Sequence, residues 1–329
     1  MTRRILLPFT PLYAAAVAAK NVVYDCGWAK AQRLCWPVIS VGNISVGGSG
    51  KTPFVICLAK LLRQQGVHLD VLSRGYGRNS NAVERVDPTG DTARFGDEPL
   101  LIAQSADVPV YVGASRYAAG LAAESNQGSA GIHLLDDGFQ HRKLARAVDL
   151  VLVHRSDSEE MLLPAGRLRE PVRSLQRASV LVLREEDADL EQRLKELGIE
   201  KPIWWIRRSM IAPISASRTL AFCGIARPEE FFEMLKQHNV ETVAVHAFRD
   251  HHRYSDLDVR QLVQEAQAHS ANTLLTTEKD FVRLSAKQKD WLASAADLRV
   301  AKLEVRLRDE AAAVRFLEAL LPANSARLL

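Results

Sequence analysis

Cysteine is scarce. The 329 residues hold four, Cys26, Cys35, Cys57 and Cys223, with no CxxC spacing and no paired-histidine pattern. That excludes a zinc ribbon and a disulfide scaffold, and fits reduced thiols in a cytoplasmic compartment. An excess of one charge sign is lacking too: 43 Lys+Arg against 39 Asp+Glu leave a net charge of +4. This is too little to argue for nucleic acid, and no nucleic-acid partner is expected. Repeats and low-complexity tracts are absent, and 47% apolar with 25% charged residues excludes a disordered, fibrous or multi-span membrane chain. What the chain does have is arginine, 31 against 12 lysines. The guanidinium fork suits phosphate and carboxylate ligands. The length suggests about two domains.

Ile5 to Ala19 carry no charge and follow Arg3 and Arg4, the outline of a signal peptide. Pro8 and Pro11 interrupt that run, and Lys20 ends it short of the roughly 20 residues of a membrane span. The better reading is a helix with Thr10 as N-cap and Pro11 at its first position. Leu12, Ala15, Ala16, Ala19, Val22, Val23 and Cys26 then form one apolar stripe. The stripe either packs on the protein or lies on a membrane surface, where Arg3, Arg4, Lys20, Lys30 and Arg33 would meet anionic headgroups.

Downstream, short apolar runs alternate with helical patterns. Strands are expected at Pro37–Val41, Val67–Leu72, Val108–Val112, Ile132–Leu135, Leu150–Val153 and Val180–Leu183, with a helix over Lys51–Gln65. This alternation predicts an α/β fold, a mainly parallel sheet with helices on both faces and its ligand at the C-terminal strand ends. Ile203–Ile206 and Thr219–Phe222 read as a strand connection between domains, with the boundary near 205–220. A helix opened by Pro228, a strand at Val243–Ala247, a helix near Leu257–His269, a strand at Thr273–Leu275 and a final helix at Asp309–Leu321 complete a smaller α/β domain.

Between the first strand and its helix lies Gly42-Asn43-Ile44-Ser45-Val46-Gly47-Gly48-Ser49-Gly50-Lys51-Thr52. A glycine-rich turn at a helix N-terminus cradles phosphate through backbone N–H groups. The candidate ATP-binding residues are Ser45, Val46, Gly47, Gly48, Ser49, Gly50, Lys51 and Thr52. Lys51 would reach the β/γ oxygens and the Thr52 hydroxyl would bind Mg²⁺. The strict pattern GxxxxGK[ST] asks for glycine at 45, where this chain has Ser45. Ile132 to Asp137 is an apolar strand ending in two aspartates, the Walker B arrangement. Asp136 or Asp137 would complete the metal shell, with Glu98 as an outer partner. Further polar loops are Ser73-Arg74-Gly75-Tyr76-Gly77, Gly96-Asp97-Glu98 and Asp250-His251-His252.

Together these stretches resemble the tetraacyldisaccharide 4'-kinase family, the lipid A 4'-kinases of Gram-negative bacteria. The resemblance extends through Asp136-Asp137-Gly138-Phe139-Gln140-His141, Leu163-Pro164-Ala165-Gly166-Arg167-Leu168-Arg169-Glu170, Phe222-Cys223-Gly224-Ile225-Ala226 and Thr276-Thr277-Glu278-Lys279-Asp280. It covers about residues 37–285 in the family's order. It implies ATP and Mg²⁺ as cofactors and transfer of the γ-phosphate to the 4'-hydroxyl of an acylated glucosamine disaccharide 1-phosphate. It also implies a peripheral hold on the cytoplasmic face of the inner membrane and no obligate protein partner. The domains would be a membrane-associating region (1–36), a P-loop kinase core (37–212) and a smaller C-terminal domain (213–329) on a strand hinge. Asp97 would be the catalytic base, supported by an imidazolium at His251, with the neighbouring His252 as the alternative. Lys51 would offset charge, and Arg74, Arg116, His141 and Glu170 are candidates for substrate or phosphate contacts.

Two other readings compete. A membrane-associated ATPase of the partitioning type uses KGGxGKT, but its signature lysine is Val46 here. A GTP-dependent switch needs NKxD after a strand, and Thr277-Glu278-Lys279-Asp280 has the wrong spacing.

Overall fold

The computed structural model describes residues 2–127, 130–212 and 218–320. After a 3₁₀ segment (Thr2–Phe9), α1 (Thr10–Asp25) leads to β1 (Val38–Asn43), α2 (Lys51–Gln64), β2 (Leu69–Ser73) and β3 (Glu84–Arg85). There follow α3 (Thr92–Phe95), α4 (Asp97–Ala106), β4 (Val110–Val112), α5 (Arg116–Gln127), β5 (Ile132–Asp136) and β6 (Val148–Leu152). Next come β7 (Val180–Arg184), α6 (Asp189–Glu196), β8 (Ile203–Ile211), β9 (Thr219–Cys223), α7 (Pro228–Gln237) and β10 (Thr242–Ala247). The chain closes with α8 (Asp256–Ala268), β11 (Thr273–Thr277), α9 (Glu278–Phe281), α10 (Ala286–Ala295), β12 (Asp297–Leu307) and α11 (Glu310–Leu320).

Among the described residues the strands form one twelve-stranded sheet, ordered β10-β9-β11-β12-β8-β7-β6-β1-β5-β2-β4-β3. Every pairing is parallel except β12 with β8 and β3 with β4. The sheet is therefore two parallel sets joined back to back at β8 and β12. Within the larger set, β1, β2 and β4 to β7 are buried throughout, as the unbroken apolar runs require when both faces are covered. Ile39, Val71 and Leu134 face α2 with Phe54 and Leu58. Val38, Leu72 and Leu135 face α5 with Ala119 and Ala123. Register pairs Val41 with Asp136, so the loop after β1 lies beside the aspartates that end β5.

Three expectations need correction. Thr10 is not an N-cap: the chain is already helical before it, Phe9 holds helical angles, and the Thr10 hydroxyl is buried without a partner. Thr219–Phe222 is no connection between domains, because β9 lies between β10 and β11. The joint is made by β8 with β12, and β12 was not expected at all. Its near-alternation of apolar and charged residues from Leu298 to Leu307 is the pattern of a half-buried strand. The third correction concerns the N-terminus. Helical structure runs on through Pro8 and past Lys20, so Ile5–Asp25, 21 residues, is long and apolar enough to cross a membrane. Part of the expected boundary region, 213–217, and Leu321 lie outside the described residues, as do the side chains of Arg3 and Arg4.

The expected stripe on α1 faces outward. Leu12, Ala15, Ala16, Ala19, Val22 and Cys26 are exposed, and no residue of α1 is buried. The opposite side carries the polar groups that hold the helix down. Tyr13 Oη donates to Arg169 O (3.0 Å), Lys20 Nζ to Gln140 O (2.9 Å) and Asn21 Nδ2 to Glu170 Oε2 (2.9 Å). Of the stripe only Val23 is half-buried, so the stripe as a whole does not pack on the protein.

Candidate active site

The phosphate loop shows why Ser45 needs no glycine. Ser45 pairs with Leu168 in a short antiparallel bridge, and Val46 N donates to Arg167 O at 2.8 Å. The left-handed conformations fall instead on Gly47 (φ +77°), Gly48 (φ +59°) and Gly50 (φ +80°). Gly50 caps α2 without a side-chain bond, leaving the helix N-terminus open to an anion. The Ser49 hydroxyl is buried and has no partner. Lys51 Nζ donates to Asn43 Oδ1 (3.0 Å) and lies 3.4 Å from Asp137 Oδ1.

The two aspartates diverge as adjacent strand-end residues must. Asp136 stays in β5 and accepts from Ser73 Oγ (3.1 Å) through Oδ2, while its Oδ1 is buried without a partner. Burial, with Glu98 and Asp137 nearby, pushes its carboxyl up to about 7. Asp137 turns into the left-handed region (φ +50°) and receives Arg169 Nη1 at 2.8 and 2.9 Å. Burial would raise its carboxyl, but Lys51 and Arg169 hold it at about 2.

Asp97, buried at the start of α4, meets residues 154 and 186 positions away. Its Oδ2 accepts from His251 Nδ1 (3.0 Å) and from Arg283 Nε (2.9 Å). Burial opposes ionisation, yet the hydrogen bond from His251 and the charges of Lys279 and Arg283 hold this carboxyl well below the usual range. His251 adopts φ +57° and turns its Nε2 toward Lys279 Nζ (3.4 Å). Lys279 Nζ donates to Glu98 Oε1 (2.9 Å). Lys279 and Arg283, two fixed cations, thus act alongside His251 on the Asp97 carboxylate. His252 is directed elsewhere: Nε2 lies 3.1 Å from Asp258 Oδ2, in the capping box of α8, and its ring stacks on Phe248.

The other candidates separate by location. Arg116 is buried with an unpartnered Nε, and burial and Arg74 lower its affinity for the proton. Burial and the charge of Arg116 also push His141 down to about 4. Arg74 is exposed. Arg74 and Arg116 thus lie close enough to feel each other's charge, Arg116 also feels Asp136 and Asp137, and neutral His141 borders Arg116. Glu170 is buried and committed to Arg177 Nη2 (2.9 and 3.0 Å) and Asn21. It anchors α1 rather than facing a ligand.

Sequence reasoning assigned no role to Asn43, Arg169, Lys279 or Arg283. The signal for the last two was partly available: Thr277 caps a short helix that carries Lys279, and Arg283 follows four residues on, in the turn just after it. A cavity of about 200 Å³ opens beside Gly48–Thr52, walled by Met210, Phe231, Met234 and Leu303. It offers an apolar slot next to a phosphate cradle.

A phosphate loop after β1, an aspartate pair ending β5 and a carboxylate ionised among fixed cations define a P-loop nucleotide-binding enzyme of the phosphotransferase class. The family model for tetraacyldisaccharide-1-P 4'-kinase (LpxK) matches residues 2–322. The chain is 44% identical over 318 residues to the tetraacyldisaccharide 4'-kinase of Koribacter versatilis, covering 93% of this chain and 96% of that one. Against the Aquifex aeolicus enzyme of the same name, identity is 36% over 301 residues, 86% and 90% of the two chains. The crystal structure of "apo" form LpxK from Aquifex aeolicus in complex with ATP superposes with a TM-score of 0.78 at 31% identity, covering 98% of this chain and 100% of that one. The chain belongs to the tetraacyldisaccharide 4'-kinase family.

Proposed function

We propose that this kinase transfers the γ-phosphate of ATP to the 4'-hydroxyl of an acylated glucosamine disaccharide 1-phosphate, a lipid A precursor. The observation that carries the reading is the contact between Asp97 and His251 at 3.0 Å, next to a phosphate loop whose lysine is poised on Asn43 and Asp137. Phosphoryl transfer asks a protein mostly for positioning and charge neutralisation. Lys51 and the N-terminus of α2 hold the phosphates. Asp97 accepts the sugar hydroxyl proton, and His251 and Arg283 fix its orientation. Arg74 and Arg116 provide positive charge for the acceptor's own phosphate, and His141, kept neutral by burial and the charge of Arg116, provides a hydrogen-bonding ring beside them.

Mg²⁺ fits the residues present. Asp136 has a buried oxygen without a partner and feels the charges of Glu98 and Asp137, and Thr52 lies in the first turn of α2. No cluster of three or more metal-ligating side chains occurs among the described residues. Mg²⁺ usually takes one or two carboxylates and completes its shell with water and substrate phosphates. When bound, it would neutralise charge on the transferring phosphoryl group.

Residues 37–212 act as the phosphate-loop core and 213–329 as the smaller domain, with closure between them excluding water. Residues 1–36 hold the protein to the cytoplasmic face of the inner membrane. The hydrogen bonds of Tyr13, Lys20 and Asn21 to the body favour a helix lying at the interface over one that spans, since spanning would break them. The partitioning-type ATPase is disfavoured by Val46.

The test is label transfer from γ-labelled ATP to lipid extracts. Label on a lipid supports the kinase, and free phosphate alone overturns it. Lys51→Ala should lower kcat by about 10² or more while leaving the fold intact.

A further inference from the structure

Two arginines on the wall of the cavity beside the phosphate loop, Arg208 and Arg227, have no role in the scheme above. Arg227 immediately precedes α7 and is 7% exposed. Its stem lies across Gly48: a β-carbon there would sit 2.9 Å from Arg227 Cγ and 3.1 Å from its Nε. Gly48 is therefore glycine for two reasons, its backbone angle and the arginine lying against it. The outer part of the guanidinium is engaged. Nη1 lies 3.2 Å from Glu230 Oε1 and against the His154 ring, and Nη2 lies 3.3 Å from Ser156 Oγ. Glu230 also accepts from Arg208 Nη1 (2.8 Å) and Arg184 Nη1 (3.3 Å). Nε is the exception: it is buried and has no partner. A buried cationic donor left unsatisfied is costly, and a phosphate oxygen is the acceptor that best matches it.

We propose that Arg227 is a phosphate-contacting residue: Nε donates to the nucleotide phosphates held over Gly48, while Glu230 and His154 are positioning residues that pin the guanidinium from its far side. The inference rests on the phosphate-loop reading and adds to it a cation supplied by the smaller strand set. Occupancy of the loop would then be felt directly by α7.

The test varies ATP at saturating lipid for wild type, Arg227→Ala, Arg227→Lys and, as a control on the phosphate loop, Lys51→Ala. Arg227→Ala should lower kcat/KM for ATP by about 30- to 300-fold. Arg227→Lys should recover little of this, because a point charge cannot hold Glu230 and reach phosphate together. Millimolar guanidinium ion should restore part of the activity of Arg227→Ala and none of that of Lys51→Ala, which separates a missing contact from damaged packing. If Arg227→Ala stays within about threefold of wild type while Lys51→Ala is inactive, the proposal fails and the phosphate loop stands. If Lys51→Ala is active, the phosphate-loop reading fails first. Should Arg227→Ala not fold, Arg227→Gln keeps the stem over Gly48. A MgATP-induced rise in Tm equal to that of wild type in this variant would overturn the contact.

Discussion

At the scale of single residues the site is governed by which carboxylate has cations beside it. Asp97 and Asp137 are each held ionised by two or more, whereas Asp136 has a hydroxyl on one oxygen and nothing on the other. The three aspartates thus differ in charge state through their neighbours, not through residue type. Asp97→Ala should lower kcat by about 10²–10⁴ with little change in ATP affinity. His251→Ala should be impaired as well, and the double variant should lose far less than the product of the two losses, because residues acting as a unit are not additive. Fully multiplicative losses in steady-state kinetics would rule out a coupled pair. His252→Ala should stay within about threefold of wild type, since its ring serves Phe248 and the cap of α8. The buried thiol Cys223 is inert for the same kind of reason: burial pushes it up to about 12.

At the scale of elements, α1 is amphipathic in reverse. Its polar side chains bond to the loops carrying Gln140 and Arg169, and Leu12 (72% exposed) and Val22 (49%) point away. Leu12 and Val22 are exposed and Val23 is half-buried, so replacing all three with Ser should still leave Tm within a few degrees of wild type. Losing roughly 1–2 kcal/mol of apolar burial per residue should reduce partitioning into vesicles by about 10² or more. Sedimentation with vesicles, and KM for embedded lipid acceptor, would record it. Unchanged sedimentation would move the membrane contact elsewhere. High salt should weaken attachment if Lys30 and Arg33 meet anionic lipid, whereas Lys20 is held by Gln140 O.

At the scale of the whole molecule, the two strand sets are joined by β8 with β12 and by the ion network centred on Glu230. Burial would raise the Glu230 carboxyl, but the hydrogen bond from His154 and the charges of Arg184 and Arg208 hold it far below its ordinary value. A carboxylate whose folded value is depressed contributes stability that is present above its unfolded value, about 4.3, and lost as pH falls toward the folded one. Glu230→Gln should therefore lower stability by about 2 kcal/mol near pH 7, leaving three arginines short of a countercharge. The deficit in Tm relative to wild type should shrink as pH falls below about 4. A deficit independent of pH would mean that the network contributes through packing alone.

Much of the fold was legible from residues 37 to 183, where short β-branched runs alternate with helical patterns, because strands buried on both faces leave an unbroken apolar signature. The phosphate loop was legible for a related reason: its glycines and Lys51 lie within one turn of chain. Asp97 and His251 were brought together only by family resemblance, since no local pattern links residues 154 positions apart. Arg283 and Arg227 were not singled out at all. Asp97 at the start of α4, and His154 and Ser156 after β6, reach these arginines across the join between the strand sets, so their meaning exists only after β12 has paired with β8. The outward stripe of α1 was visible as a stripe, but its direction was not. Periodicity defines a face, and only the docking of Tyr13, Lys20 and Asn21 decides which way that face points.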